Sequence, residues 1–90
     1  MKITEDTLIA YLGGDVNPHT ILLFENFYEA QRLTGVSRRS ILRSIRERNS
    51  TRNGYSWDYA MNLITEAKDM VRLGIKTQEW FDETFQGIEI

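Results

Sequence analysis

Residues 30–45 read Ala30-Gln-Arg-Leu-Thr-Gly35-Val-Ser37-Arg-Arg-Ser-Ile41-Leu-Arg-Ser-Ile45, and the interpretation of this stretch decides the fold. Just before it, Asn26 is a capping residue for a helix over 27–34, on which Phe27, Ala30 and Leu33 or Thr34 share a face. Gly35 stops that helix, since glycine takes left-handed backbone without a Cβ penalty. Val36 tucks inward and Ser37 caps a second helix over 38–48. On its wheel Ile41, Leu42 and Ile45 fall in one stripe, with Arg39, Ser40, Arg43, Arg46 and Glu47 opposite. A short helix, a glycine turn and a basic second helix spell a helix-turn-helix unit whose second helix faces outward.

Beyond this unit the punctuation is clear. Thr20 to Glu25 reads as a strand bounded by Pro18 and Asn26. Asn49 to Gly54 is a polar loop with an Asn-Gly turn signal, after which Tyr55, Trp57 and Tyr59 alternate with Ser56 and Asp58 as a half-buried strand does. The expectation is that 55–59 pairs with 20–25 in a small sheet under the helices. Residues 3–12 fit a helix or a strand equally well, because the apolar run Leu8 to Leu12 has no decisive period. From about Asp58 a helical period places Leu63, Ile64, Ala67, Met70 and Val71 on one face, until Gly74 ends it. Thr77 and Glu79 open a last short helix carrying Trp80, Phe81 and Phe85. The fold class is therefore α+β and mainly helical, in one domain over 1–90. A helix-turn-helix module covers 15–60 and a C-terminal extension of amphipathic helices covers 60–90.

The formal net charge of −2 argues against a nucleic-acid partner until its distribution is read. Residues 35–54 hold Arg38, Arg39, Arg43, Arg46, Arg48 and Arg52 against the single acid Glu47, while both flanks are acidic. Charges more than about 8 Å apart are largely screened at physiological salt, so the local field governs binding. Such a helix can simply be a solvated face. The absence of Lys among these six favours recognition instead, because Arg forks pair bidentately with phosphates and guanine edges. The chain has no cysteine, which excludes disulfides and thiolate chemistry. The lone histidine, His19, reads as a turn residue. Asp58, Glu66 and Asp69 read as a solvated face rather than metal ligands. No metal, cofactor or catalytic set is expected, and the chain does not read as an enzyme. Its apolar runs are far short of the roughly 20 residues a membrane span needs, and its N-terminus lacks a signal-peptide layout. The expectation is a cytoplasmic protein without a membrane partner.

Ala30-x-Arg-Leu-Thr-Gly-Val-Ser-Arg-x-Ser-Ile41, followed by the Arg-rich loop and Gly54-Tyr-x-Trp-x-Tyr59, resembles the first class of nuclease-associated modular DNA-binding domains. These modules accompany homing endonucleases and occur in phage-encoded proteins. The resemblance covers roughly residues 15–60, including the Asn17-Pro18-His19-Thr20 turn and the strand ending at Phe24. It implies a strand, a helix-turn-helix pair and a closing strand that bind DNA, and a phage or mobile-element origin with host cytoplasm or nucleoid as its place. Two departures stand out. Gln31 occupies the position four before Gly35, where these units usually place a small residue, and no nuclease domain accompanies the module.

An eleven-residue helix spans about 16 Å and lies along a major groove about 12 Å wide. Ser37, Arg38, Arg39 and Ser40 would approach double-stranded DNA first, and the unpaired N–H groups of the helix start would suit a phosphate. Arg43, mid-face, is the candidate for a base contact, while Arg46, Arg48 and Arg52 suit the backbone. Trp80, Phe81 and Phe85 either cap the core or form a surface for a homodimer or host protein partner. Transcription regulation is one use of such a reader. The alternative is a phage-type effector or inhibitor that binds a host protein through the same scaffold without DNA.

Overall fold

The computed structural model describes residues 2–89. In chain order the elements are β1 (Leu8–Leu12), β2 (Ile21–Phe24), α1 (Phe27–Thr34), α2 (Arg38–Glu47), β3 (Tyr55–Tyr59), α3 (Ala60–Arg72) and α4 (Gln78–Thr84). The three strands form an antiparallel sheet in the order β2-β1-β3. The fold is α+β, as the sequence indicates; the open alternative at residues 3–12 resolves to a strand, and one strand pairing needs correction.

The stretch that fitted helix or strand equally well contains the central strand of the sheet. Leu8, Ile9 and Ala10 are all buried, so consecutive side chains on opposite faces both meet apolar neighbours. A strand covered on both faces carries an unbroken apolar run, which hides the period of two. The correction follows from that central position: the 55–59 strand pairs with β1, not with the 20–25 strand. Tyr59 lies opposite Leu8 and Tyr55 opposite Leu12, while β2 occupies the other edge of β1.

The sheet is the middle layer of three. On one face Leu8, Ala10, Phe24 and Trp57 pack against Ala30 of α1 and Ile41 of α2. On the other face Ile9 packs with Ile3 and with Ala60, Leu63, Ile64, Ala67 and Phe85 of the C-terminal segment. Phe24 and Trp57 project from the two outer strands, about 9.6 Å apart across β1. Their rings nevertheless stack with centroids 5.5 Å apart, on the face of β1 that carries Leu8, opposite Phe24, and the small Ala10, opposite Trp57. The module over 15–60 therefore lacks the central strand of its own sheet, and β1 joins it to residues 60–90.

Helix boundaries follow the local chemistry. Asn26 Oδ1 accepts from the Glu29 N–H at 2.9 Å, and Gly35 ends α1 at φ 74 with its N–H donating to Gln31 O. The Ser37 hydroxyl oxygen accepts from the Ser40 N–H at 3.2 Å. The second helix ends at Glu47, one residue earlier than expected. Arg48 takes the left-handed position there at φ 57, the one non-glycine with positive φ among the described residues. At α3 there is no side-chain cap; the Ala60 N–H instead donates to Thr7 O at 2.8 Å, so the sheet itself starts the helix. Three side chains offered for apolar faces stand in solvent, Leu33, Leu42 and Met70, so that Thr34 rather than Leu33 completes the inner face of α1. In place of Leu42, α2 buries Ser44 beside Ile41, and the Ser44 hydroxyl donates to Asn49 O.

Candidate nucleic-acid interface

The turn between α1 and α2 is held by three side chains. The Thr34 hydroxyl donates to Ala30 O at 2.7 Å and accepts from the Val36 N–H at 3.2 Å. Ser37 caps α2 from its own start. Gln31, the departure from the usual small residue, reaches across so that its Oε1 accepts from the Arg38 N–H at 3.0 Å. The unusual glutamine thus ties one helix to the next. It also revises an expectation: two of the first three N–H groups of α2 are already bonded to side chains, which weakens that helix start as a phosphate seat.

The arginines divide into three sets. Arg38 lies back over α1, its guanidinium carbon 4.8 Å from the centre of the Phe27 ring, which meets Tyr59 edge-on. That contact is a cation–π pair worth about 0.5–1 kcal/mol at an exposed site. Arg39, Arg43 and Arg52 are exposed and, like Arg38, have no carboxylate within 4 Å among the described residues. Arg46 lies 3.8 Å from Glu47, and Arg48 lies 3.7 Å from Glu66 of α3. Both guanidinium side chains in these pairs remain more than 70% exposed, so each pair contributes only about 0–1 kcal/mol and yields readily to a stronger anion.

Four of the expected site residues come together. Ser37, Ser40, Arg43 and Arg52 line one open groove of about 660 Å³ between α2 and the loop after it, with Ser44 and Glu47 on the helix side. Arg48 faces elsewhere, into a smaller cleft of about 330 Å³ that it shares with Tyr11, Trp57, Asp58, Asn62 and Glu66. There the half-buried Asp58 carboxyl is held above the ordinary carboxylate range. Burial is the main cause and Glu66 adds to it, against the opposing pull of the Tyr59 N–H, Arg48 and Asn62. The Tyr11 phenol is raised too, first by burial and then by the Asp58 and Glu66 charges. Among the described residues no three His, Asp or Glu side chains gather as a metal site. No helix there is long and apolar enough to cross a membrane.

Local sequence does not reveal what holds the Arg52 loop. The Trp57 indole Nε1 donates to Thr51 Oγ1 at 3.2 Å, and the Thr51 hydroxyl donates in turn to Asn53 Oδ1 at 2.6 Å or Tyr55 O at 3.1 Å. The Thr51 N–H reaches Tyr55 O at 2.8 Å and the Gly54 N–H reaches Thr51 O at 2.9 Å. Gly54 sits at φ 83, a left-handed position that explains the Asn-Gly pair. A reader of sequence sees that pair and the alternating aromatics, but not that the indole reaches back six residues.

The C-terminal aromatics resolve against a simple surface. Phe85 is buried and belongs to the core, with Phe81 at 5.0 Å and Trp80 edge-on at 6.1 Å between ring centres. Trp80 is half-buried, and its Nε1 donates to Val16 O at 3.0 Å, pinning the turn after β1. Phe85 is thus withdrawn from the proposed partner surface, because the lower face of the sheet needs it as cover. The chain matches no family model, and neither a curated protein nor a solved structure matches it.

Proposed function

We propose that this chain is a small double-stranded-DNA-binding protein that lays α2 in the major groove and acts as a transcription regulator of the phage or mobile-element type. The observation that carries this reading is the row of exposed guanidinium groups on α2 and its following loop. Arg39, Arg43 and Arg52 have no internal carboxylate partner among the described residues, and isoleucines back them from within. Unpaired, exposed arginine is the residue for forked contacts to phosphate oxygens and guanine edges. In this reading Arg39 and Arg43 approach base edges, while Arg46, Arg48 and Arg52 hold the backbone, the loosely paired two exchanging a carboxylate for a phosphate. The work is binding rather than catalysis, done in host cytoplasm or nucleoid.

Fluorescence anisotropy of a labelled duplex, repeated at several salt concentrations, tests the proposal. Log K should fall with log salt with a slope of about −3 to −5, at −0.9 per phosphate neutralised. Absence of binding at low salt, near 50 mM, would refute it. A second reading, a phage-type effector that grips a host protein, has its own support. Met70, Leu73 and Ile75 stand in solvent at the end of α3, on the half of the molecule that carries most of the acids. The same end is where a homodimer would form, and light scattering behind size exclusion separates one copy from two.

A further inference from the structure

The groove beside α2 has two unlike walls. The helix wall carries Arg43, with Ser40 one turn before it and Glu47 one turn after. The other wall is the loop that carries Arg52, a residue with no internal ion pair among the described residues. A surface arginine on a free loop has to be ordered before it grips anything, at a cost in backbone and side-chain entropy. Here that ordering is already in place. Thr51, the residue before Arg52, is bonded through its N–H, its C=O and its hydroxyl, and the hydroxyl accepts the indole N–H of the buried Trp57. The indole is itself fixed by stacking on Phe24. The loop wall is therefore built on the core of the sheet.

Resting on the DNA-binding reading, we infer that this groove seats one strand of the duplex. Its base edges face Arg43 on the helix wall and one backbone phosphate is held by Arg52 on the loop wall. Thr51 is the positioning residue, acting through Trp57 to hold Arg52 at phosphate distance from the helix. Glu47, negative like the strand, bounds the occupied length of the groove at its far end. A rigid two-walled seat aligns the reading helix on the backbone before any base is sampled.

The test uses the whole chain and a labelled duplex, with the salt slope as readout and thermal unfolding as control. Arg52→Ala should make the slope shallower by about 0.9, one phosphate's worth, on every sequence tried. Thr51→Val, which removes the hydroxyl, should give the same shallower slope with Arg52 still present, whereas Thr51→Ser should restore the wild-type slope. Adding Thr51→Val to Arg52→Ala should change the slope no further. Trp57→Phe, which removes only the indole N–H donor and some ring, serves as the second way to release the loop. If the wild-type chain binds duplex but Arg52→Ala leaves the slope unchanged, the strand seat is wrong while the DNA reading stands. If Thr51→Val lowers the unfolding temperature yet keeps the slope, its hydroxyl is structural only and the positioning role is overturned. If the wild-type chain binds no duplex at all, the reading beneath the inference is what fails.

Discussion

The two faces of one sheet differ in charge and in packing. Above it, α2 and the loop to β3 carry six arginines against one acid within residues 35–54, and the helical layer backs them with buried Ala30 and Ile41 and partly buried Phe27, Val36 and Ile45. Below it, α3 and the segment through α4 to Phe85 bring Leu63, Ile64, Ala67 and Phe85 into a fuller core, and the two helices carry five of the thirteen acids, Glu66, Asp69, Glu79, Asp82 and Glu83. The basic face buries less apolar surface of its own. It depends on the lower face for stability, because the central strand Leu8–Leu12 is shared by both cores.

That dependence sets the largest expected effect. Phe85→Ala should cost about 3–5 kcal/mol, as truncation of a buried aromatic does, and should melt α1 and α2 together with α4 in one transition. Calorimetry showing two transitions, with the upper layer surviving alone, would break the coupling of the faces. The next effect belongs to the upper face by itself. Arg43→Ala should cost about 1–3 kcal/mol on the preferred duplex and flatten the preference among sequences, leaving unfolding unchanged. Equal losses on all duplexes would reassign it to the backbone.

Arg48 stands where the two faces meet and sharpens the comparison. It holds a left-handed conformation that costs a non-glycine residue on the order of 1 kcal/mol. Arg48→Gly should therefore raise stability by up to about 1 kcal/mol while weakening DNA binding, two readouts moving in opposite directions. Glu66→Gln should do the reverse on a smaller scale. Removing the carboxylate 3.7 Å from Arg48 frees the guanidinium for phosphate and tightens binding by less than about 1 kcal/mol. In the Arg48→Gly background that gain should vanish.

The smallest effect is a pH dependence. Because burial raises the Asp58 pKa in the folded chain, the folded state keeps its proton to higher pH than the unfolded state does. The associated stability is full below the ordinary carboxylate value of about 3.9 and is lost as pH rises through the raised folded value. Asp58→Asn keeps an oxygen able to accept from the Tyr59 N–H. It should match wild type in acid and unfold at a higher temperature than wild type at neutral pH. A gain that is the same at every pH would exclude the carboxyl charge as its source.

Much of the upper face is legible in sequence because its signals are local. Asn26, Gly35 and Ser37 each act within three or four residues, and each does what its chemistry suggests. The lower face and the sheet order are not local. Leu8 to Leu12 shows no period because neighbours cover both its faces, so nothing in it announces a central strand. The neighbour of β3 is fixed by which edge of β1 is open, a fact no short window contains. Within the candidate site the same limit applies. The Gln31 contact to Arg38, the Trp57 contact to Thr51 and the Glu66 contact to Arg48 span seven, six and eighteen residues. They tune the arginines that sequence already picks out, and they come into view only when the chain is folded.

Amide chemical-shift mapping during titration with a duplex tests the division between the faces most directly. Shifts should concentrate at residues 37–52, with the amides of α3 and α4 beyond Glu66 left in place. Shifts centred on Met70, Leu73 and Ile75 with the arginine helix undisturbed would contradict it.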